Sequence, residues 1–152
     1  MNKKGVTLIE LIVVFVIIAI GAALVAPNIS GWLPRYRLRS ATRDIVSTMR
    51  DAHMKAVSSR MQYQVDFTVG TDSYILRHTS GGLLLDDGPV RKAPSGITVN
   101  IASLIGGKAL FNPDSTCPNG GTVTLSYQKG GVTLGQRGII INGATGGIRI
   151  VE

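Results

Sequence analysis

The sequence predicts an α+β chain: a long N-terminal helix, apolar in its first half and amphipathic in its second, joined to an antiparallel, β-rich head. Three observations predict it. Residues 6–26 are apolar or small except for Thr7 and Glu10. From Arg35 onward glycine and proline vanish until Gly70, while apolar residues recur at intervals of three and four. Beyond Met61 the period shortens to two, and Gly/Pro/Asn/Asp clusters follow one another closely.

The first half of the helix is a run of about 30 Å at ~1.5 Å per residue, roughly one hydrocarbon thickness. Residues 11–20 contain no glycine, proline or polar group. A soluble surface helix would show a polar face there. The segment is therefore a membrane helix or one buried on all sides. A secretory signal peptide cut near Gly21-Ala22-Ala23 and a plain signal anchor both remain open on length and hydropathy, yet neither explains Glu10.

In the second half, Leu38, Ala41, Ile45, Met49, Ala52 and Ala56 fall on one helical face. Arg37, Arg43, Asp44, Arg50, Asp51 and Lys55 fall mostly elsewhere. Pro27, Gly31 and Pro34 mark the join between the halves, where a kink or break is expected. In the head, residues 62–69 alternate as a half-buried strand does, and 73–79 form its hairpin partner across a turn at 70–72. Further strands are expected at 97–101, 109–112, 122–128, 138–142 and 147–151, about seven in all. The connections at 80–96 and 112–121 carry the weakest pattern.

At 152 residues the chain holds one domain with a real core. Its 19 glycines and 5% aromatics suit short strands and tight turns better than a helical bundle. The formal charge is +7, with several arginines between positions 35 and 50. Such a charge speaks to association with nucleic acid or anionic lipid, not to fold. Cys117 is the single cysteine, so no disulfide can close within the chain.

The informative order of residues is Lys3-Lys4-Gly5-Val6-Thr7-Leu8-Ile9-Glu10. A basic leader ends in glycine, an apolar helix begins at once, and a lone carboxylate lies five residues beyond. Burying that carboxylate in lipid is unfavourable by up to ~2.5–3.5 kcal/mol, less near a helix end. An acid at membrane depth points to a functional site with a cationic partner. A cut after Gly5 would create such a cation, the new α-amino group of Val6 on a neighbouring subunit.

This run resembles the class III signal of type IV pilins and type II secretion pseudopilins. The resemblance implies that a prepilin peptidase cuts after Gly5 and N-methylates Val6, and that Glu10 pairs with the N-terminus of an adjacent subunit during assembly. Pro27 matches the proline found in many members at the twenty-second place after the cut. Val6 departs from the commonest residue, phenylalanine, and Ala19 from a glycine that several pilins carry. The motif sets the leader in the cytoplasm, although Arg35, Arg37, Arg39 and Arg43 outnumber Lys3 and Lys4 and by themselves argue for the opposite orientation. In the orientation set by the motif those arginines face lipid headgroups or acidic patches on neighbouring subunits.

The second half resembles the GspH/FimT family of minor pilins and pseudopilins. The matching residues are Phe111-Asn112-Pro113-Asp114, Gly120-Gly121-Thr122-Val123-Thr124-Leu125, Gly138-Ile139-Ile140-Ile141-Asn142-Gly143 and Gly146-Gly147-Ile148-Arg149-Ile150-Val151. The resemblance implies a long helix packed on a head of two antiparallel sheets. It also implies a structural subunit of a type IV pilus or type II secretion pseudopilus, processed at residues 1–5. Residues 6–27 would form the transmembrane and filament-core helix, 28–61 its amphipathic extension and 62–152 the head. The chain would start in the inner membrane with a periplasmic head, then enter a pseudopilus or a surface pilus. Its partners would be other pilin or pseudopilin subunits, the prepilin peptidase, the inner-membrane assembly platform and inner-membrane lipid.

Some members bind DNA through a Gly-Arg-x-Arg element, which makes DNA uptake the alternative function. Here Gly147 replaces the first arginine and Arg149 alone remains. Phosphate binding needs several cations acting together, and Lys129, Arg137 and Arg149 are the candidates. No cofactor, metal site or catalytic constellation is expected. His53 and His78 have no adjacent nucleophile and are expected to be exposed or hydrogen-bonded. Asp86-Asp87-Gly88 reads as an ordinary turn, the methionines Met49, Met54 and Met61 as packing, and Gly106-Gly107-Lys108 lacks the spacing of a nucleotide loop.

Overall fold

The computed structural model describes residues 5–25, 29–68 and 70–151. The chain divides into two compact units, Met1–Leu33 and Pro34–Glu152.

In the first unit, α1 covers Leu8–Val25. Thr7 precedes it, and its Oγ1 accepts a hydrogen bond from the Glu10 backbone N–H at 3.4 Å, which satisfies one of the unpaired donors of the first turn. Glu10 in that turn also complements the helix dipole. Apolar side chains from Val6 to Leu24 stand exposed on every side of the helix. Among the described residues no helix is long and apolar enough to cross a membrane. The 18 residues of α1 rise about 27 Å.

The second helix, α2, covers Ile29–Ser59 and contains Pro34. From Pro34 onward it belongs to the second unit. The apolar stripe is buried in full: Leu38, Ala41, Ile45, Met49, Ala52 and Ala56 all lie in the core. Thr42 and Thr48 share that burial because their hydroxyls donate to the carbonyls of Leu38 and Asp44, four residues back. The helix stops at Arg60, whose φ of 56° places it in the left-handed region that ends many helices.

Nine strands follow among the described residues: β1 Tyr63–Thr68, β2 Ser73–Ser80, β3 Leu83–Asp86, β4 Arg91–Lys92, β5 Ile97–Asn100, β6 Lys108–Phe111, β7 Thr122–Lys129, β8 Val132–Ile141 and β9 Ile148–Val151. They form two antiparallel sheets. One runs β3-β2-β1-β6 with β4 also on β2, and the other runs β5-β7-β8-β9. The fold is thus α+β, with a β-rich head in two sheets. Val65, Tyr74, Leu76, Ala109 and Phe111 of the first sheet share one core with Val123, Leu125, Ile139 and Ile141 of the second and with the α2 stripe. Asp72, in the β1–β2 turn, joins the sheets: its carboxylate accepts from the Val99 N–H at 2.8 Å and its carbonyl from Ala93 at 2.9 Å.

Two expectations about the strands need correction. The connection 80–96 contains β3 and β4. And β8 starts at Val132, six residues before the expected position, because Gly130 and Gly131 both take positive φ and close a tight hairpin onto β7.

Candidate functional site

Gly5 and Val6 precede α1 in irregular, exposed backbone. A side chain placed at Gly5 would meet nothing within 4 Å, and Val6 is 73% exposed. Lys3, Lys4 and Pro27 lie outside the described residues. Glu10 is exposed, and among the described residues none of the ion pairs takes it.

The second unit uses its acids internally. Asp44 accepts from the Tyr74 hydroxyl and from Arg91 Nη1 at 3.0 Å, and the same Arg91 nitrogen donates to Thr48 Oγ1 at 3.3 Å. This network fastens α2 to β2 and β4. Burial first, and the Asp44 carboxylate second, push the Tyr74 hydroxyl well above its ordinary value. Lys55 bridges Asp51 and Asp87 at 3.2 and 3.0 Å, and Arg77 bridges Asp66 and Asp86 at 3.0 and 2.7 Å. The hydrogen bond from Lys55 to Asp87 is the largest influence raising its pKa. Asp86 and Asp87 are therefore both engaged by cationic side chains. Among the described residues no group of three or more His, Cys, Asp and Glu is placed to hold a metal ion.

Lys129, Arg137 and Arg149 are spread over the second sheet. Lys129 ends β7 opposite Val132, Arg137 lies opposite Leu125, and Arg149 in β9 lies opposite Ile140. The cross-strand partners of Lys129 and Arg149 are eight residues apart along β8, about 26 Å at the rise of a strand. Arg137 shares the parity of the buried Ile139 and Ile141, whereas Arg149 pairs with Ile140 on the opposite face. One phosphate cluster does not form from these three.

The histidines depart from expectation. His53 stacks on Phe111 and His78 on Tyr63, with ring centroids 5.5 and 5.4 Å apart. Among the described residues His53 Nε2 and His78 Nδ1 are buried without a hydrogen-bond partner. Both rings serve as packing surfaces. Cys117 is buried, its backbone N–H donates to Gly143 at 2.8 Å, and burial lifts its thiol to about 11. The glycine-rich runs of the second half also have structural roles. A Cβ on Gly146, whose φ is +61°, would stand 2.4 Å from the Ser115 carbonyl oxygen and 3.1 Å from His53 Nε2.

Known structures share this arrangement. The type IV minor pilin FimU of Pseudomonas aeruginosa superimposes with a TM-score of 0.58 at 18% identity, covering 78% of this chain and 90% of FimU. The minor pseudopilin EpsH from the type 2 secretion system of Vibrio cholerae superimposes with a TM-score of 0.64 at 11% identity, covering 76% of this chain and 96% of EpsH. Residues 1–26 match the family described as the prokaryotic N-terminal methylation motif. The chain has the fold of these two structures and carries that N-terminal motif. No curated protein sequence matches it. The matched motif contains Gly5, Val6 and Glu10, and the matched fold accounts for the two sheets. The sequence had no means of revealing the Tyr74–Asp44–Arg91 network, because its members are 30 and 47 residues apart.

Proposed function

We propose that the chain is a minor pilin or pseudopilin, cut between Gly5 and Val6 and drawn from the inner membrane into a helical filament. The observation that carries this reading is α1, apolar on all sides and uncovered in the single chain. Such a surface has to be covered, first by lipid and then by the same helices of neighbouring subunits. Residues 1–5 are the leader, 6–27 the membrane and filament-core segment, 28–61 the amphipathic extension and 62–152 the head. Glu10 sets the register, because a carboxylate left unpaired in that core is strongly disfavoured. A prepilin peptidase, the assembly platform and other subunits are the partners. FimU is named as a minor pilin and EpsH as a minor pseudopilin, so likeness to both supports a minor subunit. The separation of Lys129, Arg137 and Arg149 weakens the alternative, DNA capture at the head.

Co-expression with a prepilin peptidase, followed by mass spectrometry of the N-terminus, tests the processing step. The expected product begins at methylated Val6. An intact leader on the wild-type chain, or equal cleavage after Gly5 is changed to Asp, overturns the reading.

A further inference from the structure

Four arginines of α2 are set apart from its acids. Arg35, Arg39, Arg43 and Arg50 are all exposed and fall within an arc of about 80° at 100° per residue. Tyr36, 54% exposed, borders the same arc. Asp44 and Asp51 lie on the opposite flank, held by Arg91 and Lys55. Among the described residues no carboxylate lies within ion-pair distance of the four arginines. Arg35 with Arg39, and Arg39 with Arg43, are also like-charge pairs at i,i+4 spacing, which oppose the helix. Every described acid from Asp44 to Asp114 already has a partner within the chain, and among the described residues none of the ion pairs offsets that repulsion.

We propose that the Arg35–Arg39–Arg43–Arg50 stripe of α2 binds anionic phospholipid headgroups, anchoring the subunit at the bilayer surface before assembly. The inference rests on the reading that residues 6–27 insert into the membrane. The stripe begins ten residues after Val25, the last residue of α1, so chain connectivity alone keeps it near the headgroups. Planar guanidinium groups match phosphate oxygens two at a time, and an exposed aromatic beside them suits the interface. Each arginine near an anionic surface contributes about five-fold in surface partitioning. Nucleic acid offers the same phosphate chemistry, but the apolar helix that precedes the stripe brings it to lipid. The excess of arginines beyond the apolar segment, which argues against the proposed orientation by simple counting, then has a function of its own.

The test uses the full chain with Ser40, exposed and next to Arg39 in sequence, changed to cysteine and labelled with a fluorophore; Cys117 is buried and stays unlabelled. The protein is reconstituted into phosphatidylcholine vesicles, with or without about 30% phosphatidylglycerol, carrying a headgroup quencher. Quenching is expected to be stronger with phosphatidylglycerol and to fall at high salt. In an Arg35→Gln, Arg39→Gln, Arg43→Gln variant, partitioning is expected to drop on the order of 100-fold. A Lys108→Gln variant is expected to keep the wild-type response.

Equal quenching in both lipids, or an unchanged response in the triple variant, overturns the proposal. So does arginine-dependent binding of duplex DNA to the detergent-solubilised chain that outcompetes phosphatidylglycerol. Flotation separates the two readings. A chain that floats with both vesicle types but shows no lipid-dependent quenching removes the stripe and leaves the membrane helix. A chain that floats only with phosphatidylglycerol, through the arginines, supports the stripe and removes the helix as the anchor.

Discussion

At the scale of single residues, Tyr74 shows how a buried polar group ties helix to sheet. Its ring is buried and its hydroxyl is held by Asp44, so replacing it with phenylalanine leaves that carboxylate to Arg91 alone. A loss of about 2 kcal/mol is expected, read from chemical denaturation in a mild detergent. The pH dependence has a definite sign. The folded chain keeps the Tyr74 proton at pH values where the unfolded chain, with its ordinary value of 10.0, releases it. The stabilisation is therefore complete below about pH 10 and declines as pH rises beyond it. In Tyr74→Phe the alkaline decline should be shallower than in the wild type; equal slopes would disprove the linkage. Cys117 gives a second residue-scale prediction. With its thiol buried and raised to about 11, it should react with a thiol reagent at pH 8 only after unfolding. Prompt reaction of the native chain would place it at the surface.

At the scale of elements, the ends and turns carry the strain. Arg60 holds a positive φ that glycine accepts without the Cβ conflict, so Arg60→Gly is expected to stabilise the chain by about 1 kcal/mol. Gly146→Ala should do the reverse, costing about 2 kcal/mol or more, because it combines a left-handed backbone with the close approach to Ser115. Denaturation midpoints of the two variants should move in opposite directions. How legible each element was follows from its burial. The stripe of α2 was readable because one face is buried from Leu38 to Ala56, which forces a helical period on the apolar residues. Strand β3 was not, because Leu83, Leu84 and Leu85 are all exposed at a sheet edge and so never alternate. Strand β4 is two residues long, and the early part of β8 is exposed. The site divides in the same way. Gly5, Val6 and Glu10 form a linear motif, readable in sequence order. The distances between Lys129, Arg137 and Arg149 depend on strand register across the Gly130-Gly131 hairpin, which no local pattern reveals.

At the scale of the whole molecule, the chain has satisfied acids in its head and an unsatisfied one in α1. Each described carboxylate from Asp44 to Asp114 has a hydrogen-bond or ion-pair partner within the chain, whereas among the described residues Glu10 has no ion pair. Head contacts alone therefore do not explain why Glu10 sits among apolar residues. If its partner is the α-amino group freed at Val6 of a neighbouring subunit, two lesions remove the same interaction. Glu10→Ala deletes the acceptor, and blocking cleavage with Gly5→Asp deletes the donor. Each should reduce incorporation into filaments while leaving head stability unchanged, because neither residue lies in the core. The combination should be little worse than the more severe single change, since an interaction lost once cannot be lost again. Incorporation is measured by recovery of tagged subunits in sheared or overexpressed filaments, and head stability by denaturation of the same variants. Effects that multiply would show that Glu10 and the N-terminus act through separate contacts, and the pairing would have to be abandoned.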